Sequence, residues 1–229
     1  MWTGIAAVVG SYLFGSIPHL HLLAVIRRID LSGDFHQDLW HRGGKALGIA
    51  GVTGEFIKGV VPVLVTRALG LDITIIALAG LAVVCGQMWP VFTRFDGEKG
   101  NSIAIAMILA LVPFPALVAI VPVIIAAVVR TVPRIFPASG SGDRPPVIGG
   151  PFSRSLPLGM LACFLVLPFS AWGFGKPPAV VWCCAALFLF IMLRRLTAGL
   201  AADLKSRDNF WPVLVRRLLY DRATIDWRP

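Results

Sequence analysis

Charge is what this sequence has least of. Only 14% of its 229 residues are charged against 57% hydrophobic, and the acidic sign is the scarcer, 12 residues against 21 basic. With a mean hydropathy of +0.80, that composition excludes an ordinary soluble domain and a disordered chain, both of which carry more polar residues. Cysteine is thin as well. Cys85, Cys163, Cys183 and Cys184 lie inside apolar segments with neither C-x-x-C nor a Cys/His ligand spacing. This excludes a disulfide scaffold and a zinc site and leaves buried free thiols. A Walker stretch, G-x-x-x-x-G-K-[ST], is absent too, which excludes a P-loop NTPase. The first apolar run has no basic segment before it and continues to helix length, which argues against a cleaved signal peptide.

What fills the chain is apolar runs near 2–26, 46–69, 73–93, 157–174 and 177–193, each close to the ~20 residues that cross a bilayer as a helix. A further run, 102–129, carries Pro113 and Pro115 near its centre; it is too long for one span and fits a short helix followed by a longer one. Seven segments put the termini on opposite sides, which makes the positive-inside rule usable. On one side fall Arg27, Arg28, Arg42 and Lys45, then Arg94 and Lys99, then four arginines between 130 and 154, then all the basic residues from Arg194 onward, 18 of the 21. The net charge of +9 is therefore gathered at helix ends, a topology signal and no nucleic-acid face. The expected fold is all-α: a polytopic membrane helix bundle of about seven transmembrane segments, amino terminus outside and carboxyl terminus cytoplasmic. It forms a single integral membrane domain over 1–229, with 130–155 as a flexible cytoplasmic loop and 196–229 as a cytoplasmic or interfacial tail. That tail interleaves basic residues with Trp211, Tyr220 and Trp227 and suits anionic phospholipid headgroups.

Polar chemistry concentrates in a few places. "DGEKGNS", residues 96–102, sets Gly97 and Gly100 around one lysine ahead of an apolar run; such glycines let backbone amides approach an anion, and equally make an ordinary tight turn. "DLSGDFHQDLWHRGGK" crowds Ser32, Asp34, His36, Asp38, His41 and Arg42 into the first basic loop, with Arg42 the natural phosphate ligand or the loop simply solvated and capped. Glu55 and Lys58 share a helix face within the second run, where they pair structurally or serve a site. His19 and His21 read as interior or interfacial packing.

Several of these stretches together resemble one family, the bacterial acyl-phosphate:glycerol-3-phosphate acyltransferases of the PlsY type. "SYLFGSIPHLHLLA" is similar to the family's first-helix signature, "GKALGIAGVTGEFIKG" to its G-K-x-x-G…D-x-x-K-G stretch, and "GQMWPVFTRFDGEKGNSIAI" to G-H-x-x-P-V-F-x-x-F-x-G-G-K-G. "SRDNFWPVLVRRLL" is a weaker copy of R-H-R-x-N-I-x-R-L. The resemblance implies a multi-pass enzyme of the bacterial plasma membrane, monomeric, with its site on the cytoplasmic face. It would take acyl phosphate and glycerol 3-phosphate to lysophosphatidate and phosphate, with no cofactor and no metal. The H-x-x-x-x-D signature of other glycerophosphate acyltransferases is absent. Carried over residue by residue, Ser32, Arg42, Lys99 and Asn209 are the catalytic candidates. Gly33, Asp34, His41, Lys58, Gln87, Gly97, Gly100 and Arg207 are the candidate substrate ligands. The chain departs from the pattern at Asp34 and Asp38 for asparagines, Glu55 for aspartate, Gln87 for histidine and Glu98 for glycine. The altered first loop keeps open a divergent inactive lipid-binding or partner protein, and the mid-membrane Glu55/Lys58 pair a small transporter.

Overall fold

The computed structural model describes residues 2–29, 35–135, 155–198 and 210–221, and every regular element among them is helical. In chain order these are α1 (Trp2–Ser16), α2 (His19–Arg27), α3 (Phe35–Gly43), α4 (Lys45–Ala68), α5 (Ile73–Met88), a 3₁₀ turn (Val91–Thr93), α6 (Asn101–Leu111), α7 (Pro113–Ile135), α8 (Ser155–Gly173), α9 (Pro178–Thr197) and α10 (Phe210–Tyr220). Six stretches are long and apolar enough to cross a membrane, α1 and α2 counting as one, and α6 is a shorter apolar helix.

Proline sets the breaks. Pro18 interrupts the first apolar run because the residue before a proline is driven out of the helical region and the ring offers no N–H, so α1 ends at Ser16 and α2 starts at His19. The long run 102–129 divides as its prolines predict: Val112 leaves the helix at φ −136° and Pro113 opens α7. Two boundaries differ from expectation. Helix α7 continues through 130–135, where the composition predicts a flexible loop, and the tail contains the helix α10, which buries Val213 and Arg217. Residues 136–154 and 222–229, including Trp227, lie outside the described residues. At the start of α5, Asp72 caps the helix by accepting from the Thr74 N–H at 2.8 Å. Hydrogen bonds from Thr74 hold its carboxyl below the ordinary value, so the cap stabilises at neutral pH and is lost as acid protonates it.

Glycine brings the helix axes together, as expected where lipid supplies no hydrophobic drive between helices. A Cβ on Gly15 would overlap the Val83 carbonyl and one on Gly86 the Tyr12 carbonyl, so α1 and α5 touch backbone to backbone. Gly59 does the same between α4 and α6, meeting the Ile103 carbonyl, and Gly159 between α8 and α7. The contacts also fix direction. α4 and α6 run the same way, since Arg67 near the end of α4 donates to the Leu111 carbonyl at 3.2 Å. α7 and α8 run opposite, with Ser155 bonded to the Ala126 carbonyl and Ser170 to that of Pro115. α5 is the central helix, more than half buried, and its Val83, Val84 and Met88 join Ile103, Met107, Phe164 and Leu187 in the main core. A smaller cluster of Leu20, Ala24, Leu39 and Leu47 holds α2, α3 and the start of α4 together. All four cysteines are free thiols, as the sequence implies; Cys183 donates to the Ala77 carbonyl.

Because α6 starts beside Gly59, the loop 94–100 lies level with the middle of α4, roughly 20 Å along the axis from Lys45. Helices α2, α3 and the first half of α4 stand beyond it. The close approach of α1 to α5 carries this arrangement, and Gly15→Ala is expected to cost about 1–3 kcal/mol by forcing the helices apart. Thermal unfolding in detergent checks this; an unchanged midpoint would show that the contact is dispensable.

Candidate functional site

At the break Ile17–Pro18 the Ile17 carbonyl accepts from the His19 N–H at 2.9 Å and also from a side chain of the interior. Lys58 on α4 donates to the Ile17 carbonyl at 2.8 Å and to the side-chain oxygen of Gln87 on α5. The Gln87 amide in turn donates to the Glu55 carboxylate at 3.1 Å. Glu55, Lys58 and Gln87 are 2%, 5% and 5% exposed, so the three form a buried hydrogen-bonded chain. Sequence spacing puts Glu55 and Lys58 on one face; Gln87 from another helix is what bridges them. Of the histidines of α2, the His19 ring bonds the Gly51 carbonyl at 3.1 Å and His21 stands edge-on to Phe35.

On this support rests the loop. The Glu98 N–H donates to the Gln87 carbonyl at 3.1 Å, the Phe95 N–H to that of Pro90 at 2.9 Å, and the Thr93 hydroxyl to that of Asp96 at 2.7 Å. Gly97 is required because a Cβ there would overlap the Gln87 carbonyl and the Pro90 ring, and Gly100 because it takes φ +72° as the N-cap of α6. Gly97, Gln87, Ser16, Ile17, His21 and Phe35 line part of a small, shallow cleft that opens beside the break in α1–α2.

Lys99 does not line that cleft. Its ammonium pairs with the Asp221 carboxylate at 2.9 Å and also donates to the Asp221 carbonyl at 2.9 Å. The lysine side chain is 44% exposed and the aspartate side chain 10%. Asp221 is brought there by α10, which docks on α8 and α9 through Val213 and Arg217. Arg217 donates to the carbonyls of Arg195, Leu196 and Ala198, the open C-terminal end of α9. Arg195 donates to the carbonyls of Leu218 and Pro157, and Arg194 reaches the loop itself, to the carbonyls of Gly97 and Glu98 and the carboxylate of Asp96.

The sequence-predicted residues thus fall into three groups. Lys58, Gln87 and Gly97 meet directly or through the loop backbone, and Lys99 and Gly100 follow on the same turn. Arg42 sits on α3, where it engages Asp38 one turn away at 3.7 Å, with His41 exposed beside it. Ser32, Gly33, Asp34, Arg207 and Asn209 lie outside the described residues. Sequence reasoning misses Arg194 and Arg217 as structural partners, counting them only as cationic flanks, and misses Asp221. Their signal is present but generic: paired arginines closing an apolar run also make an ordinary positive-inside terminus.

These elements together make a polytopic helical membrane protein with a buried polar support under a glycine-bounded lysine loop. A family model for glycerol-3-phosphate acyltransferase matches residues 5–138. Glycerol-3-phosphate acyltransferase 4 of Dehalococcoides mccartyi is 30% identical over 219 residues, covering 93% of this chain and 86% of the relative. The enzyme of Geobacter metallireducens is 38% identical over 119 residues, 50% of this chain and 61% of the relative. The crystal structure of PlsY, an integral membrane glycerol 3-phosphate acyltransferase, superposes with a TM-score of 0.65 in its lysophosphatidic acid form, at 22% identity over 90% of this chain and 94% of that one. Its glycerol 3-phosphate form gives 0.64. The chain belongs to the glycerol-3-phosphate acyltransferase family.

Removing the lysine from the buried chain leaves the buried Gln87 side-chain oxygen without its donor and the Glu55 carboxylate without its neighbouring cation. Lys58→Met is therefore expected to destabilise by about 3 kcal/mol, read as a lowered unfolding midpoint in detergent, whereas a neutral outcome would deny the chain its supporting role.

Proposed function

We propose that this protein transfers a fatty acyl group from acyl phosphate to the 1-hydroxyl of sn-glycerol 3-phosphate, yielding lysophosphatidate and inorganic phosphate. The observation that carries the reading is the loop Asp96–Gly100: in a chain of this family, it delivers one partly exposed ammonium to the amino-terminal end of α6, a place where backbone dipoles favour anions. Acyl phosphate already contains a good leaving group, so positioning supplies much of the rate. The acceptor hydroxyl oxygen bonds to the carbonyl carbon, the bond from that carbon to the phosphate oxygen breaks, and the hydroxyl proton passes to the departing phosphate. Lys99 and Arg42 stabilise the charge on the phosphates; Ser32 and Asn209 orient the reactants, with Gly33, Asp34, His41 and Arg207 around them. Lys58 and Gln87 act beneath, through the loop they hold.

In this reading the Asp221 carboxylate occupies Lys99 until a phosphate displaces it. A dianionic phosphate is the stronger partner for one ammonium, and the lysine side chain is open enough for exchange. The acceptor, being water-soluble, reaches the site from the cytoplasm, with the amino terminus outside, the carboxyl-terminal tail on anionic phospholipid, and the whole chain a monomeric single domain of the bacterial plasma membrane.

Purified protein is expected to release phosphate from palmitoyl phosphate only when glycerol 3-phosphate is present. Lys99→Ala should slow that release by about 100-fold or more, while Asp221→Asn should lower the KM for glycerol 3-phosphate about two- to fivefold, the worth of a partly exposed ion pair. Acceptor-independent release, or full activity in Lys99→Ala, would overturn the assignment; solute flux in sealed vesicles lost in Glu55→Gln would favour transport instead.

A further inference from the structure

The loop that presents Lys99 is costly to shape. Arg94 at φ 56° and Phe95 at φ 66° are non-glycine residues in the left-handed region, followed by Gly100 at φ 72°. Such a backbone persists only where its surroundings over-determine it. On one side the Gln87 carbonyl and Pro90 hold it. On the other stands a single buried guanidinium, that of Arg194 in the last turn of α9.

Arg194 directs its donors at this loop. Its Nε donates to the Glu98 carbonyl at 3.3 Å, and one terminal nitrogen donates to the Gly97 carbonyl and, at 3.3 Å, to the Asp96 carboxylate. The Asp96 side chain is 93% exposed, so its share is small and the two carbonyls are what the guanidinium grips. They belong to the two residues immediately before Lys99. A peptide group is planar and trans; a Glu98 carbonyl turned onto Arg194 therefore turns the Lys99 N–H to the opposite side and fixes the peptide on which the lysine is carried. Arg217 offers the contrast. It caps carbonyls of α9 itself, 195, 196 and 198, as a helix-closing cation does, whereas Arg194, one turn from the same end, serves another element.

We infer that Arg194 is a positioning residue for the proposed acyl transfer, fixing the Gly97 and Glu98 peptides so that the Lys99 ammonium and amide face the phosphate of the substrate. The role rests on the reading of Lys99 given above and names the residue that makes that lysine effective. It requires the fork geometry: a lysine at 194 keeps the charge but offers one point donor where two carbonyls at different angles must be met.

Steady-state kinetics on wild type, Arg194→Lys, Arg194→Ala and Asp96→Asn, with hydrogen exchange of the 94–100 peptide alongside, test it. Both Arg194 variants are expected to raise the KM for glycerol 3-phosphate about tenfold with kcat falling less, and to speed exchange in 94–100 while leaving α5 and α7 protected. Asp96→Asn should stay within about twofold of wild type. Arg194→Lys with wild-type KM, or variants that lose kcat and global protection together at unchanged KM, would overturn the inference and leave a purely structural arginine. An inactive wild type would sink the acyltransferase reading instead; in that case unchanged exchange of 94–100 in Arg194→Lys still overturns the positioning role.

Discussion

A polar group taken out of water must find a partner, and in this molecule that requirement organises everything near the site. Where the first span breaks at Pro18, the Ile17 carbonyl takes a second donor from the interior: Lys58 donates to it and to Gln87, and Gln87 donates to Glu55. The main chain of the same Gln87 then anchors Glu98. A kink in α1–α2, one face of α4 and the end of α5 are thereby committed to a single geometry, and the loop before α6 inherits it. An isolated lysine or glutamate at this depth would cost several kcal/mol; linked together they set the register among helices that glycine contacts alone would leave free to slide.

The same requirement explains why the charge-poor chain buries cations at the far end of α9. The last carbonyls of a helix have no internal partner. Arg217 closes those of α9 from α10, and Arg195 ties α9 to α8 and α10. Arginines that mark a membrane-flanking terminus in the sequence thus also fasten a short amphipathic helix over the lysine loop, and carry Asp221 to Lys99.

Much of the fold is legible in the order of the amino acids. Apolar length marks the spans, and Pro113 marks the division of 102–129 into a short and a long helix, because both are local consequences of hydropathy and of a missing N–H. The order of motifs along the chain points to the family. What stays hidden is what depends on contacts distant in sequence. Spacing places Glu55 and Lys58 on one face but cannot show that Gln87, from another helix, joins them. The glycines of DGEKGNS are legible as turn-formers, yet Gly97 is fixed by the Gln87 carbonyl it must approach, a neighbour no local pattern names. Asp221 is invisible as a partner of Lys99 because 122 residues separate them. Arg42, a phosphate ligand by its charge alone, sits on α3 engaged with Asp38.

If Lys99 is an anion ligand, its aspartate partner must yield to phosphate. A structure of the full chain soaked in glycerol 3-phosphate decides this. The expected result is a phosphate oxygen about 3 Å from the Lys99 ammonium, Asp221 moved off it, and the Gly97 and Glu98 carbonyls still on Arg194. A phosphate bound elsewhere, with the Lys99–Asp221 pair intact, would contradict it.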